Sequence, residues 1–464
     1  MALFVDRRCV GVVGIQASGK STFLTSLIHQ LRSHNPAAFS LGDGGWRIKH
    51  LAISPASKGL PPFPYDRFRV QLHRRRWPDK TRCLMEYRCR LSLTHEKSTR
   101  GLLSRFGKTE LTLLDIPGER LADLSMARTR YADWSDTMLK LFEDDPDYEE
   151  PSSEFRQLLD SREPLVWTRI VREYKRALAR MIFQRLPVIS PSTMLLTREG
   201  QYVPAEVRNS RSADALAEKH VAGIASDAEF APLSATARLA NPNVAKQFEQ
   251  NYTRYRKELV NPLARQLYSC DQLVVLVDIA TLLAGGPEVF NGCQRVLQTM
   301  LQYLVPGRSM LTAAMDRTIR AMSGGRRRLG GRFQLSSLRR LAIVASQADR
   351  VHLDDRVKLE GLASQLLGPI ENSLYRPRVT TQFFHCSAVN SSKSLDYPKI
   401  EVVTEGTTEP RRTTVGQVPD LWPDDWNAGD FHFPHFAPIP PALLMRPPTQ
   451  SGLDRIASFM LELS

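Results

Sequence analysis

Cysteine is scarce in this chain, six in 464 residues, and no two stand in C-x-x-C spacing. That excludes a disulfide-stapled scaffold and a thiolate zinc centre. Cys9, Cys83, Cys89, Cys270, Cys293 and Cys386 are expected to be reduced thiols of a cytoplasmic protein, several of them in core strands. Also missing is any apolar run near the ~20 residues a membrane-crossing helix needs, and Met1-Ala2-Leu3-Phe4-Val5-Asp6 carries no signal-peptide profile. Neither a spanning nor an exported protein is expected. Acidic residues are outnumbered, 49 against 63 lysines and arginines, for a net charge of +14. Charge of this size permits a weak contact with an anionic surface, including a peripheral place at the inner membrane, but an arginine-rich composition and a phosphate-binding site are the favoured explanation. Nucleic acid is the disfavoured partner.

The remaining composition, 42% hydrophobic and 24% charged, is ordinary for a globular protein, and the length exceeds what one core holds. One stretch organises the rest. Gly14-Ile15-Gln16-Ala17-Ser18-Gly19-Lys20-Ser21 fills the G-x-x-x-x-G-K-[ST] pattern, after the apolar run Cys9-Val10-Gly11-Val12-Val13 and before a helical periodicity that starts at Thr22. Strand, glycine loop and helix in that order make a phosphate cradle. Gly14 and Gly19 let the backbone curl round an anion, and N–H groups of the loop and of the helix start, at Gln16, Ala17, Ser18 and Thr22, face the phosphates. Lys20 would neutralise the β- and γ-phosphates, and the Ser21 hydroxyl would ligate Mg²⁺.

The breakers Asn35-Pro36, Gly42, Gly44, Gly45, Pro55, Gly59, Pro61, Pro62 and Pro64 predict a long irregular excursion that ends at Trp77-Pro78-Asp79-Lys80-Thr81. Strands are predicted over 83–93 and 110–114, the second delivering Asp115-Ile116-Pro117-Gly118-Glu119. A carboxylate at the end of a strand beside a phosphate loop reaches Mg²⁺ through water, and a glycine N–H three residues on can meet a γ-phosphate. From 120 to 269 the period turns helical, with helices predicted over 121–142, 154–185, 213–225, 245–259 and 263–269. Asn241-Pro242 and Asn261-Pro262 read as helix starts, and the acidic run 143–150 as a solvated loop. Strands return at 273–278, 341–345 and 382–386, with a helix over 287–304 and a basic loop over 323–332. The fold class is therefore α/β, a P-loop NTPase with a mostly parallel sheet flanked by helices. Its nucleotide-binding domain spans 1–119 and 270–464, interrupted by an all-α insertion over 120–269.

The phosphate loop, Asp115-Ile116-Pro117-Gly118, Ser346-Gln347-Ala348-Asp349 and Ser387-Ala388, each at a strand end, together resemble the Ras-like GTPase layout. More closely, the chain resembles the bacterial YcjX stress-protein family, Ras-like proteins with a large helical insertion. The residues that carry the likeness are Pro61-Pro62-Phe63-Pro64-Tyr65, Trp77-Pro78-Asp79-Lys80-Thr81, Asp115 to Glu119, Cys270 to Asp278, and Gly429-Asp430-Phe431-His432-Phe433-Pro434. The resemblance implies a GTP- and GDP-binding, Mg²⁺-dependent GTPase switch with a role in stress and an unidentified protein partner for the helical insertion. It makes Thr81 a Mg²⁺-ligating first-switch threonine. It assigns Asp349 to the guanine N1–H and amine, and the Ala388 N–H, after Ser387, to guanine O6. The chain departs from the pattern at Gln347, where relatives carry a lysine that packs on the base and braces the phosphate loop. Glu119 stands where many Ras relatives carry a water-orienting glutamine. A carboxylate there cannot donate to the γ-phosphate, so unaided hydrolysis is expected to be slow, about 10⁻⁴ to 10⁻³ s⁻¹. Two other functions fit the same loop: an ATPase or phosphotransferase, and an adaptor that holds nucleotide and acts through its helical insertion.

Overall fold

The apolar run before the phosphate loop is the central strand of a seven-stranded sheet in the computed structural model. The structure describes residues 5–14, 18–33, 35–79, 83–96, 107–161, 164–184, 186, 190–192, 228–304, 338–374, 379–403, 409–441 and 443–463. The strands are β1 (Val5–Gly14), β2 (Trp46–Ser54), β3 (Met85–His95), β4 (Gly107–Ile116), β5 (Gln272–Val277), β6 (Arg340–Ser346) and β7 (Thr380–Cys386), in the order β2-β3-β4-β1-β5-β6-β7. The five from β4 to β7 run parallel, and β3 pairs antiparallel with both β4 and β2. Parallel strands covered on both faces read as continuous apolar runs. Accordingly Val12 and Val13, Val274 and Val275, and Ile343 and Val344 are all fully buried although their side chains alternate in direction.

One face packs on α1 (Lys20–Ser33) through Phe23, Leu24, Leu27 and Ile28, and on the C-terminal helix Leu453–Leu461 through Leu453, Ile456 and Met460. The pairings Val12 with Asp115, Gly14 with Leu276, Val277 with Ala345 and Ser346 with Cys386 bring the carboxyl ends of the five parallel strands to one edge. In an open α/β sheet that edge is where ligands bind.

The chain divides into two compact units, one of 1–118, 267–287 and 304–464, the other of 119–266 and 288–303. The second is helical and its core is rich in aromatic rings, among them Tyr131, Trp134, Phe230, Tyr252 and Tyr255 in mutual contact. Asp123 is buried within it. Its Oδ2 accepts from the Tyr255 hydroxyl at 2.6 Å and the Ser192 hydroxyl at 2.5 Å, and the Ser192 N–H reaches the same carboxylate at 3.0 Å.

Three sequence expectations are corrected. The excursion after α1 is not irregular: it holds β2 and the helix Tyr65–His73, because Tyr65, Phe68 and Leu72 recur at helical spacing and are buried. The acidic run is not a loop either. Asp145 caps a helix over Pro146–Asp160 by accepting from the Asp147 N–H at 3.1 Å, and Tyr148 within the run is 1% exposed. Finally, the helix expected at Asn261 is there, Asn261–Ser269, but Asn261 is not its cap: the backbone at Asn261 is αR, and the helix Pro242–Tyr255 runs into it through a π turn at Arg256–Val260. Pro262 has no N–H to give, and a wider turn ahead of it absorbs the loss. The predicted helix over 213–225 and the basic loop over 323–332 lie outside the described residues.

Candidate functional site

The strand-to-helix turn after β1 has a geometry that its two glycines dictate. A Cβ at Gly14 would lie 2.0 Å from the Ser18 hydroxyl and force that side chain to turn away, and Gly19 has φ +74, which glycine alone adopts freely. Ser18 and Ser21 are buried at 3% and 7%, and α1 begins at Lys20. The Phe23 N–H donates to the Gly19 carbonyl, so the N–H groups of Lys20, Ser21 and Thr22 precede the first intrahelical bond and stand at the positive end of the helix.

The Lys20 ammonium is 2.8 Å from Asp115 Oδ1, with side-chain exposures of 10% and 1%, and it also donates to the Ile116 carbonyl. Apart from that ion pair, neither Asp115 oxygen accepts a hydrogen bond among the described residues. A buried carboxylate with unfilled acceptor sites, beside a loop only glycine can form, suits a hydrated cation and a phosphate arriving together. Gly118 opens a 3₁₀ stretch over Gly118–Ala127 immediately after β4, and Glu119 follows it on the backbone.

On the far side of β1, Gln347 follows β6 in the left-handed conformation, φ 55 and ψ 35. A non-glycine residue held there costs about 1–3 kcal/mol, so its surroundings must over-determine it. They do so at both ends of the side chain. Its Cγ lies 3.5 Å from the point a Gly19 Cβ would occupy, and its amide donates to Asp278 Oδ2 at 3.0 Å. The turn then carries Asp349 and Arg350 into burial, at 4% each.

Asp349 Oδ2 accepts from the Ser391 N–H at 3.0 Å and from the Ser391 hydroxyl, so the contacts to Ser391 leave Oδ1 uncommitted to them. Its charge lies close enough to the Cys386 thiol at the end of β7 to raise that thiol's pKa, second to the effect of burial. Ser387 and Ala388 follow directly. Ser387 is held by reciprocal backbone bonds with Ser451 at 2.9 Å, and its buried hydroxyl has no partner among the described residues.

The structure thus joins Lys20 to Asp115 and lays Gln347 over the open side of Gly19. Asp349 is bonded by Ser391, and no hydrogen bond links it to Ser387 among the described residues. Gln16, Ala17 and Thr81 lie outside the described residues. Sequence reading missed Asp278, Thr281, Arg350 and Ser391. Two of them left a trace: Asp278 ends an apolar strand run, and Arg350 directly follows Asp349.

Comparison with known proteins agrees over nearly the whole chain. Residues 9–463 match the family model described as the YcjX-like family, DUF463. A protein of Escherichia coli (strain K12) named Ras-like GTPase YcjX is 25% identical over 387 residues, covering 78% of this chain and 74% of the relative. A Shewanella oneidensis protein of the same name is 24% identical over 461 residues, 92% of this chain and 88% of the relative. The family match extends from β1 to the C-terminal helix, and so takes in every site element described above: the chain belongs to the YcjX-like family.

Proposed function

We propose that this protein is a guanine-nucleotide-binding switch that hydrolyses GTP slowly. The observation that carries the reading is the buried Lys20–Asp115 ion pair beside the glycine turn after β1. The turn after β6, with Asp349 buried in it, follows the same edge of the sheet, which supports a nucleotide read at both places. Both named relatives are called Ras-like GTPase, which supports the same chemistry here.

In this reading Gly14 to Thr22 wrap the phosphates, and Lys20 turns from Asp115 to the β- and γ-phosphate oxygens. Ser21, Thr81 and Asp115 would hold Mg²⁺, Asp115 through water; the ion would neutralise charge on the phosphates. Asp349 accepts from the guanine N1–H and amine, and the Ala388 N–H meets O6. Glu119 supplies a carboxylate at the sequence position where a donor would speed the hydrolytic step, which would keep turnover slow. The Gly118 N–H holds the γ-phosphate.

Displacement of a fluorescent GDP analogue by GDP, GTP, ADP and ATP tests the base. Guanine nucleotides should win by a wide margin, and equal displacement by adenine nucleotides would sink the proposal. Single-turnover hydrolysis then separates a slow GTPase from a protein that only holds nucleotide.

A further inference from the structure

The Asp278 carboxylate stands at the carboxyl end of β5, 5% exposed, and accepts four hydrogen bonds from the described residues. Thr281 supplies two, from its N–H at 3.0 Å and its hydroxyl at 2.6 Å, which fix the carboxylate at the start of the next helix. The other two come from residues that flank Ala348-Asp349: Gln347 Nε2 at 3.0 Å and Arg350 Nη1 at 2.5 Å, both on Oδ2. The glutamine is neutral, so within this cluster Arg350 alone balances the buried charge. Its guanidinium is held in turn by the Thr281 hydroxyl at 2.8 Å and by the Phe433 carbonyl. Hydrogen bonds therefore run from Arg350 through Asp278 to Gln347, whose Cγ lies 3.5 Å from the point a Gly19 Cβ would occupy. The same short turn carries Asp349.

We propose that Arg350 is a positioning residue for nucleotide binding. By neutralising Asp278 it keeps the uncharged Gln347 side chain bonded to Asp278 and lying over the open side of Gly19, and it fixes the turn that presents Asp349. One arginine that touches no nucleotide then governs both the phosphate loop and the base-reading carboxylate. This inference rests on the nucleotide-binding reading above and adds to it the residue that holds the site in shape. It also makes the charge movable: a lysine at 347 would bring an ammonium to Asp278 from the other side and make Arg350 dispensable.

The test uses the full-length wild type, Arg350→Gln, Gln347→Lys and the double variant, each titrated with GDP and ADP, with the nucleotide-free melting temperature measured alongside. Arg350→Gln should weaken GDP binding about tenfold or more, the scale of a lost charged hydrogen bond, and narrow the preference for GDP. The double variant should return to within about threefold of wild type. Wild-type affinity in Arg350→Gln overturns the proposal. So does a double variant that regains the melting temperature without regaining affinity, since Arg350 would then be only a structural ion pair. Should Arg350→Gln fail to fold, Thr281→Val removes the hydroxyl that Asp278 and Arg350 share; a several-fold loss of affinity supports the proposal and an unchanged affinity overturns it. The wild type tells the two readings apart. If it binds neither nucleotide, the function above fails and takes this inference with it. If it prefers ADP, the guanine assignment alone fails, and dependence on Arg350 is judged on ADP.

Discussion

Asp115 of the sheet unit and Asp123 of the helical unit are buried carboxylates satisfied in different ways, although each unit also uses the other device: Lys175 meets Glu229 in the helical unit, and Ser391 donors meet Asp349 in the sheet unit. In the sheet unit Asp115 is met by Lys20, Asp278 by Arg350, Asp271 by Arg339 and Asp355 by Lys358. In the helical unit Asp123 is met by a tyrosine hydroxyl, a serine hydroxyl and a backbone N–H. A carboxylate balanced by a mobile cation can give that cation up when a more negative group arrives. One satisfied by neutral donors on packed elements has nothing to exchange. The first arrangement suits a site that must respond to ligand, the second a brace that must not.

Ways to break that contrast begin with base selection, where the largest effect is expected. A site built to bond guanine donors can reject adenine by up to ~10⁴-fold, so Asp349→Asn should collapse most of the GDP preference in displacement assays. Next comes the exchangeable cation itself. Ligand at a hundredfold excess over its Kd stabilises the native state by about 2.7 kcal/mol, and Lys20→Ala should abolish the rise in melting temperature with Mg·GDP. A variant that keeps the rise would show that Lys20 stays with Asp115 when nucleotide binds. In the helical unit, Tyr255→Phe should cost about 1.5–3 kcal/mol in chemical denaturation, leaving nucleotide affinity untouched. A change in affinity would mean that Asp123 is no passive brace.

The smallest effect is in pH, and the two units should respond with opposite signs. Burial raises the Asp123 carboxyl above its usual 3.8, so the folded state keeps that proton longer than the unfolded chain. Its contribution is full below pH 3.8 and is lost as pH rises through the folded value. In the sheet unit, burial, with Arg69 and Arg32 adding to it, pushes the His29 imidazole below 6.5, although its bond to the Met445 carbonyl pulls the other way. Its contribution is full above pH 6.5 and is lost as pH falls through the folded value. On acidification from pH 7.5 to 5.5, His29→Gln should lose less stability than wild type, by about 1 kcal/mol or less.

What the sequence made legible follows from how local each signal is. The phosphate loop and the five parallel strands were readable because glycine spacing and unbroken apolar runs are properties of adjacent residues. β2 and the helix at Tyr65–His73 were hidden by the glycines and prolines around them, which mark turns without saying what lies between. The acidic run misled because charge signals solvent exposure, while Asp145 and Asp147 use theirs to start a helix that buries Tyr148. The role of Arg350 was invisible for a different reason. Its partners Asp278 and Phe433 lie 72 and 83 positions away, and no local pattern encodes such contacts.

The place of β1 in the sheet also fixes an order of events during synthesis. β1 precedes the other strands of its sheet along the chain, yet it pairs with β5 at Gln272 and beyond, and Arg8 donates to the Met460 carbonyl and pairs with Glu462 just after the helix Leu453–Leu461. The central strand therefore waits, incompletely paired, while most of the polypeptide is translated. Residues 119–266 emerge in that interval and belong to a core of their own, which allows them to fold before the sheet closes. Pulsed hydrogen exchange during refolding should accordingly show amides of Pro242–Tyr255 protected ahead of those of β1. Until the C-terminal helix docks, the turn after β1 rests on an unfinished sheet, so the affinity proposed for nucleotide should appear last in refolding.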